Sequence, residues 1–271
     1  MNPLPLRDVT DDELAAYERD GVVCLRGCFD RDWVERLRRA TDRNIEESGP
    51  LVLEYTRPGD PGRYHGDMFM WTWDADFRAF VLDSPAAPIA ARLMRSPTVD
   101  FFYDHLLVKE PGTRETTPFH QDLPYWPIQG TQVCSLWLAL DPVTLESGAV
   151  EYVRGSHRWG RRFRAQSFTG DDRFLDPALE PIPDIEAERA QHEMLSWPLE
   201  PGDCVVHHAL TVHGSPGNRS ASTRRRGLAT RWTGADATWD PRPATFELIR
   251  QPDLAPGGPL TSDLFPRVWP R

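Results

Sequence analysis

Thr98-Val99-Asp100-Phe101-Phe102-Tyr103-Asp104-His105-Leu106-Leu107-Val108-Lys109 marks a change of texture in the chain. It is the first of several short β-rich runs separated by Gly, Pro and Asp turns, continuing to about Trp232 through 132–140, 149–154, 203–208 and 225–232. Runs at this cadence predict a mainly β fold, a barrel or jelly roll. Before them, the first third reads as helices with one strand. Thr10-Asp11-Asp12-Glu13 has the form of a capping box. Leu14 and Tyr17 then mark a buried face, Gly21 stops the helix, and Val22 to Leu25 read as the strand. Asp30 caps a second helix with Trp33, Val34 and Leu37 at helical spacing, its arginines on a solvated face. Ser84-Pro85 opens another helix. Beyond Gly234 the chain is rich in Pro and aromatics. The expectation is a single domain over 1–271, with 1–97 as mostly helical cover, 98–232 as β-barrel core and 233–271 as a C-terminal wrap. A long polar insertion, 161–191, has the length of a functional lid.

Chemistry enters at His120-Gln121-Asp122, answered much later by His213-Gly214-Ser215. Residues i and i+2 of a strand point to one face, so His120 and Asp122 can present an imidazole and a carboxylate to one point. With one distant His they form the donor set of a mononuclear non-haem iron site, two His and one carboxylate on one face of an octahedron. The three remaining positions are open to small molecules. Among eight histidines, His65, His105, His157 and His192 lack a partner at ligand spacing, whereas His207 and His208 compete for the third position. His213 is preferred because the Gly and Ser after it allow close backbone approach. His207 and His208 read as a strand end with ordinary hydrogen bonds.

Bulk properties set the class. In 271 residues, 39% are apolar and 10% aromatic, with ten Trp, enough for a sizeable core. No apolar run nears the roughly 20 residues that span a bilayer, and the N-terminus lacks a secretory pattern. A cytoplasmic protein without membrane partners is expected. The net charge of −10 argues against nonspecific nucleic-acid binding. Cys24, Cys28, Cys134 and Cys204 show neither a disulfide framework nor zinc spacing. Cys24 and Cys28 read as reduced core thiols.

Several segments together resemble the phytanoyl-CoA dioxygenase family. They are Leu107-Val108-Lys109-Glu110-Pro111-Gly112, Pro118 to Pro127 around the His-Gln-Asp motif, Ser135 to Asp141, Ser147 to His157, and Val212 to Asn218 with the arginines that follow. The likeness spans roughly residues 8–232. It departs at Arg154, where the family usually has Pro. The resemblance implies a double-stranded β-helix, a cupin-like jelly-roll barrel with helices on one side. It also implies Fe(II), with 2-oxoglutarate and O2 as cosubstrates, and a basic residue gripping the far carboxylate of 2-oxoglutarate. That Arg follows the distal His by eleven or twelve positions, where Arg224, Arg225 and Arg226 crowd together. Arg225 shares a strand face with Gly227 and Ala229, small residues that leave room for a cosubstrate. The opposite face carries Leu228 and Trp232, suited to packing under helices. Counting from His213 gives Arg224, whereas parity and the Arg-Arg-small-Leu pattern favour Arg225. Trp137 is expected to line the cosubstrate pocket and Ser215 to donate a hydrogen bond to it.

The implied activity is hydroxylation of an unactivated C–H bond of a small molecule, a secondary metabolite or lipid-like acid, with release of succinate and CO2. Related halogenases have Gly or Ala in place of the carboxylate, so Asp122 favours hydroxylation over halogenation. Desaturation and ring closure stay open. Tyr125 and Trp126, with Tyr64, Met68, Phe69, Trp71 and Trp73 in a candidate lid, suggest an aromatic-lined cavity. Arg231 falls on the face of Arg225 and reads as a strand-end salt bridge or a contact to an acidic substrate group. Competing readings are a cupin-like metal enzyme without 2-oxoglutarate and a noncatalytic ligand-binding barrel. Oligomeric state is not legible.

Overall fold

The computed structural model describes residues 1–168, 173–174 and 176–270. In chain order the elements are α1 (Asp11–Asp20), β1 (Val22–Leu25), α2 (Arg31–Glu46), β2 (Leu53–Glu54), β3 (Tyr64–Met68), α3 (Ala75–Asp83) and α4 (Ala86–Met94). The β region follows with β4 (Val99–Lys109), β5 (Thr117–His120), β6 (Ile128–Gln129), β7 (Val133–Ala139), β8 (Glu151–Val153) and β9 (Met194–Leu195). Last come β10 (Cys204–His208), β11 (His213–Ser215), β12 (Arg225–Thr233), β13 (Thr238–Trp239) and β14 (Arg267–Trp269).

The strands form an antiparallel major sheet in the order β1-β10-β7-β12-β4-β3-β2, with β14 also on β4, and a minor sheet β5-β11-β8-β9. This is the double-stranded β-helix arrangement. One face of the major sheet is apolar. Leu106, Val108, Leu136, Leu138, Val206, Leu228 and Trp232 join one core with Leu14, Trp33, Leu37, Phe77, Phe80 and Ile89 of the helices. The other face lines a cavity of about 550 Å³ that residues of the minor sheet also line. Period-two alternation along β12 sorts the two faces: Arg225, Ala229 and Arg231 reach the cavity, and Leu228 and Trp232 the helical core.

Local signals build the cover. Thr10 and Glu13 cap α1 reciprocally, α1 ends at Gly21, and the Asp30 carboxylate accepts from the Trp33 amide. Pro85 stands one residue before α4, with helical backbone angles. The arginines of α2 are more than a solvated face: Arg36 and Arg43 pair with Asp74 or Asp76 at the start of α3.

Three expectations change. The first third contributes three strands rather than one, because β2 and β3 extend the major sheet beyond β4. The candidate lid of 64–73 is that strand and the turn after it. Tyr64 and Met68 face the cavity, Phe69 and Trp71 are in the helical core, and Trp73 is 41% exposed. Backbone pairing to β4 makes 64–68 part of the sheet rather than a lid over it. The wrap after 233 is not irregular throughout, since β13 pairs with β6 and β14 with β4. Of the insertion 161–191, residues 169–172 and 175 lie outside the described residues. Phe168 and Phe174 from it line the cavity. Among the described residues no helix is long and apolar enough to cross a membrane.

Arg154, where the resemblance expects Pro, has a partner set of its own. Its guanidinium joins Asp20 at the end of α1 to Glu193 before β9. All four cysteines are free, and burial pushes the Cys24 and Cys28 thiols up to about 11.

Candidate functional site

His120 and His213 are direct cross-strand partners in the register of β5 and β11, with ring centroids 4.2 Å apart. Between His213–Ser215 and Thr117–His120 the register shifts, β5 carrying one residue more than β11. Such a bulge bends the strand and re-aims its last side chain. Gly214 permits the approach: a Cβ there would lie 2.9 Å from the Thr117 carbonyl oxygen and 3.1 Å from the Phe119 nitrogen. The close backbone contact expected from the glycine after His213 is thus present.

Asp122 is not in the strand. β5 ends at His120, and Asp122 has helical backbone angles at the start of a 3-10 turn, Leu123–Tyr125. Same-face strand parity therefore fails as the reason the two side chains meet. A turn tied by the Leu123 amide to the Ala209 carbonyl brings Asp122 to the cluster instead. Gln121 between them points away, bridging the carbonyls of Arg161 and Leu210 and accepting from the Phe163 amide.

One ligand atom from each of His120, Asp122 and His213 lies within 4.8 Å of the others, and all three residues are buried. Asp122 Oδ1 is 3.6 Å from His120 Nε2 and 4.0 Å from His213 Nε2. Each imidazole places Nδ1 against a carbonyl, that of Pro118 at 2.8 Å and that of Thr211 at 3.0 Å. A carbonyl only accepts, so Nδ1 carries the proton and the Nε2 lone pairs face the common point. Asp122 Oδ2 accepts from Ser135 Oγ at 2.6 Å and lies 3.1 Å from His207 Nε2, which leaves Oδ1 for the cluster. Burial alone raises the Asp122 carboxyl, but its contacts with His120 and His207 outweigh that and hold it well below the usual range. Burial, then His120 and His207, push His213 well below the ordinary imidazole value. An anionic oxygen and two neutral imidazole nitrogens, converging in a buried pocket, suit a divalent first-row metal.

His207 is the residue that sequence reasoning misplaced. Expected at a strand end with ordinary hydrogen bonds, it instead lies with its ring 4.3 Å from that of His213 and lines the cavity. Its odd-numbered position on β10, in parity with Val205 beside Trp137, was the available signal. His208 fits the bland reading, bonding to the Thr131 carbonyl and the Leu210 amide.

A second group of polar residues faces the cluster across the cavity. Arg225 is buried, its guanidinium 5.4 Å from the Trp137 ring centre. Arg224 and Arg226 turn outward to Glu110, Asp42 and Asp141. The space beside Arg225 is not empty as Gly227 suggested. A Cβ on Gly227 would stand 2.0 Å from the Trp137 indole, so that glycine makes room for the tryptophan. Ala229 does line the cavity. Lys109, opposite Arg225 in the register of β4 and β12, is fully buried and missed by the sequence reading. Its Nζ donates to Ser215 Oγ at 2.8 Å and to the Pro216 carbonyl at 2.7 Å, over the Tyr64 ring. Burial, reinforced by Arg225, pushes its ammonium well below the ordinary value. Among the described residues neither cation has an ion-pair partner. Arg225 Nε, Trp137 Nε1 and the Tyr152 hydroxyl are buried without a hydrogen bond to any described residue. The Arg225 guanidinium, lining the cavity with a donor to spare and with Lys109 buried behind it, fits a carboxylate, because an unpaired buried charge is costly.

The phytanoyl-CoA dioxygenase family model matches residues 17–227. The 1-deoxypentalenic acid 11-beta-hydroxylase of Streptomyces arenae is 26% identical over 226 residues, covering 75% of this chain and 73% of that protein. The non-haem α-ketoglutarate-dependent carbocyclase of nogalamycin biosynthesis superposes with a TM-score of 0.76 at 26% identity, covering 99% of this chain and all of that one. The epimerase of the same biosynthesis, solved with Fe3+, α-ketoglutarate and nogalamycin RO, gives a TM-score of 0.75 at 22% identity over 95% of this chain and 98% of its own, a likeness of fold.

Proposed function

Because the chain belongs to the phytanoyl-CoA dioxygenase family, we propose that His120, Asp122 and His213 are the iron ligands and that Arg225, Lys109, Ser215 and Trp137 hold 2-oxoglutarate. The protein is an Fe(II)- and 2-oxoglutarate-dependent oxygenase of small molecules. Bound there, the iron with 2-oxoglutarate and O2 supplies an oxidative decarboxylation to succinate and CO2 and the oxidising power to attack a C–H bond.

The chain's residues do the positioning. Nδ1–H bonds to Pro118 and Thr211 fix both imidazoles. Ser135 and His207 hold Asp122 so that one oxygen faces the metal. Arg225 grips the distant carboxylate through its planar fork, and Ser215, held by Lys109, donates a further bond. Trp137, Tyr152 and the aromatic walls exclude water from the reacting centre. With Asp122 in place we assign hydroxylation as the outcome, on a secondary metabolite or lipid-like acid. The hydroxylase relative is named for an acid substrate. We further propose that 1–271 works as a single domain in the cytoplasm.

The observation that carries this reading is the set of three converging ligands facing the buried Arg225 guanidinium across one cavity, with no ion pair to it among the described residues. Anaerobic visible absorption tests it. Addition of Fe(II) and then 2-oxoglutarate should produce a metal-to-ligand charge-transfer band, absent in His120→Ala and weakened in Arg225→Ala. Tight Zn(II) binding with no such band would overturn it in favour of a metal enzyme that does not use 2-oxoglutarate.

A further inference from the structure

The cavity has a second cationic pole that the reaction above does not use. Arg231 lies six residues beyond Arg225 on β12, about 20 Å along an extended strand, and both side chains line the same cavity. A five-carbon diacid held at Arg225 does not reach it. Arg231 is 5% exposed, and its Nε is buried with no partner among the described residues. Nη1 is spent on the Ala229 carbonyl of its own strand, which turns the guanidinium rather than neutralising it. The expected strand-end salt bridge is not there: no ion pair of Arg231 occurs among the described residues. Tyr103, its register partner on β4, lies under the guanidinium at 4.7 Å, and the Phe246 ring lies tilted against Tyr103 at 4.9 Å. The register with β4 shifts directly after Arg231, where β4 carries one extra residue, Phe102, and bends.

We propose that Arg231 recognises a carboxylate on an otherwise aromatic or polycyclic substrate. Asp122 feels the Arg231 charge, but it makes no ion pair with it among the described residues: Oδ2 is held by Ser135 and His207 and Oδ1 faces His120 and His213. It is therefore no substitute for a counter-ion. A guanidinium buried in an apolar wall is costly unless an anion joins it, and its free edge matches a carboxylate in plane. A single guanidinium at this pole matches the charge and planar shape of one carboxylate. The walls define the rest of the molecule: Tyr55, Tyr103, Tyr125, Phe168, Phe174 and Phe246 line the space with rings. His105, bonded to the Tyr55 hydroxyl at 3.2 Å, adds a polar contact. Burial and then Arg231 hold its imidazole well below the ordinary value, so it brings no competing charge. The substrate is thus anchored by its acid at Arg231 with its hydrocarbon body facing the triad. This assignment of a substrate class rests on the oxygenase reading for its purpose, although the binding site is testable without it.

The test uses shape-matched pairs that differ in charge: benzoate and benzamide, 2-naphthoate and 2-naphthamide, anthracene-2-carboxylate and its amide. Binding to the full chain is measured by calorimetry with Mn(II) and saturating 2-oxoglutarate, which occupies the Arg225 pole. At least one acid should bind about tenfold or more tightly than its amide. Arg231→Leu should abolish that preference while keeping amide affinity, and Arg231→Lys should restore part of it. Should Arg231→Leu not fold, Arg231→Gln gives the same comparison. An acid preference that survives in these variants, or none in any pair with the wild type, overturns the proposal. If 2-oxoglutarate fails to bind the wild type while the acid preference depends on Arg231, the oxygenase reading falls and the carboxylate site stands.

Discussion

At the scale of single residues, the metal cluster depends on side chains that would never touch the metal. Ser135 and His207 both bond Asp122 Oδ2, and their Cα positions are partners in the register of β7 and β10. Without His207 the carboxylate keeps one restraint and can rotate away from the histidines. His207→Ala should therefore weaken Fe(II) affinity about 10- to 100-fold, read by competition against a chelator of known affinity. Unchanged affinity would show that Ser135 suffices. The motif His120-Gln121-Asp122 was legible because its residue types name their chemistry. His207 was not, since an imidazole on a strand has the same appearance whether it meets solvent or a carboxylate from a distant turn. Lys109 was hidden likewise: it stood in the motif that carried the resemblance, but only burial against Ser215 and Tyr64 gives it a place in the site.

At the scale of the element, β12 joins core and site through strict alternation. Gly227 faces Trp137 across the β7 pairing, and an added methyl has no space there. Gly227→Ala should displace the indole, cost about 1–3 kcal/mol as an overpacked site, and weaken 2-oxoglutarate binding. Denaturant unfolding and tryptophan fluorescence read both effects, and wild-type values for both would refute the packing argument. β4 gives a pH prediction. Asp104 lies on the side of β4 away from the cavity, where Oδ2 accepts from the Trp71 amide and Oδ1 is buried without a partner among the described residues. Burial pushes its carboxyl up from 3.8 to about 7. The folded protein thus keeps a proton that the unfolded chain releases, so this contribution is complete below about pH 4 and is lost as pH rises through about 7. The loss amounts to roughly 2 to 4 kcal/mol. Asp104→Asn, which keeps an acceptor for Trp71, should show a flatter decline in unfolding free energy between pH 5 and pH 8.5. Parallel slopes for the two proteins would remove Asp104 as the cause.

At the scale of the whole molecule, the cavity couples stability to its ligands. The triad comes from two strands of the minor sheet and a turn, and the cation pair from two strands of the major sheet. A metal and a dianion held between them favour the state in which both sheets are in place. At about 100 times their dissociation constants, each should add about 2.7 kcal/mol to the unfolding free energy. A chelator should remove the metal's share, and His120→Ala should show little of it. A melting temperature indifferent to Fe(II), 2-oxoglutarate and chelator would contradict this coupling.

What the sequence alone determined was whatever is written in local pattern and residue type. Caps and helical spacing place α1 and α2, and the cadence of β-rich runs gives the β class. Alternation puts Arg225 on the face opposite Leu228, and the His-Gln-Asp and His-Gly-Ser motifs name the candidate ligands. Tertiary structure alone decided how those pieces meet. It made a strand of 64–68 instead of a lid, moved Asp122 from the strand into a turn, filled the space beside Gly227 with an indole and left Arg231 without an acid among the described residues. Each of these depends on which distant backbone pairs with which and what burial then excludes. Hydrogen-bond pairing and desolvation act between residues tens to hundreds of positions apart, and no local pattern records them.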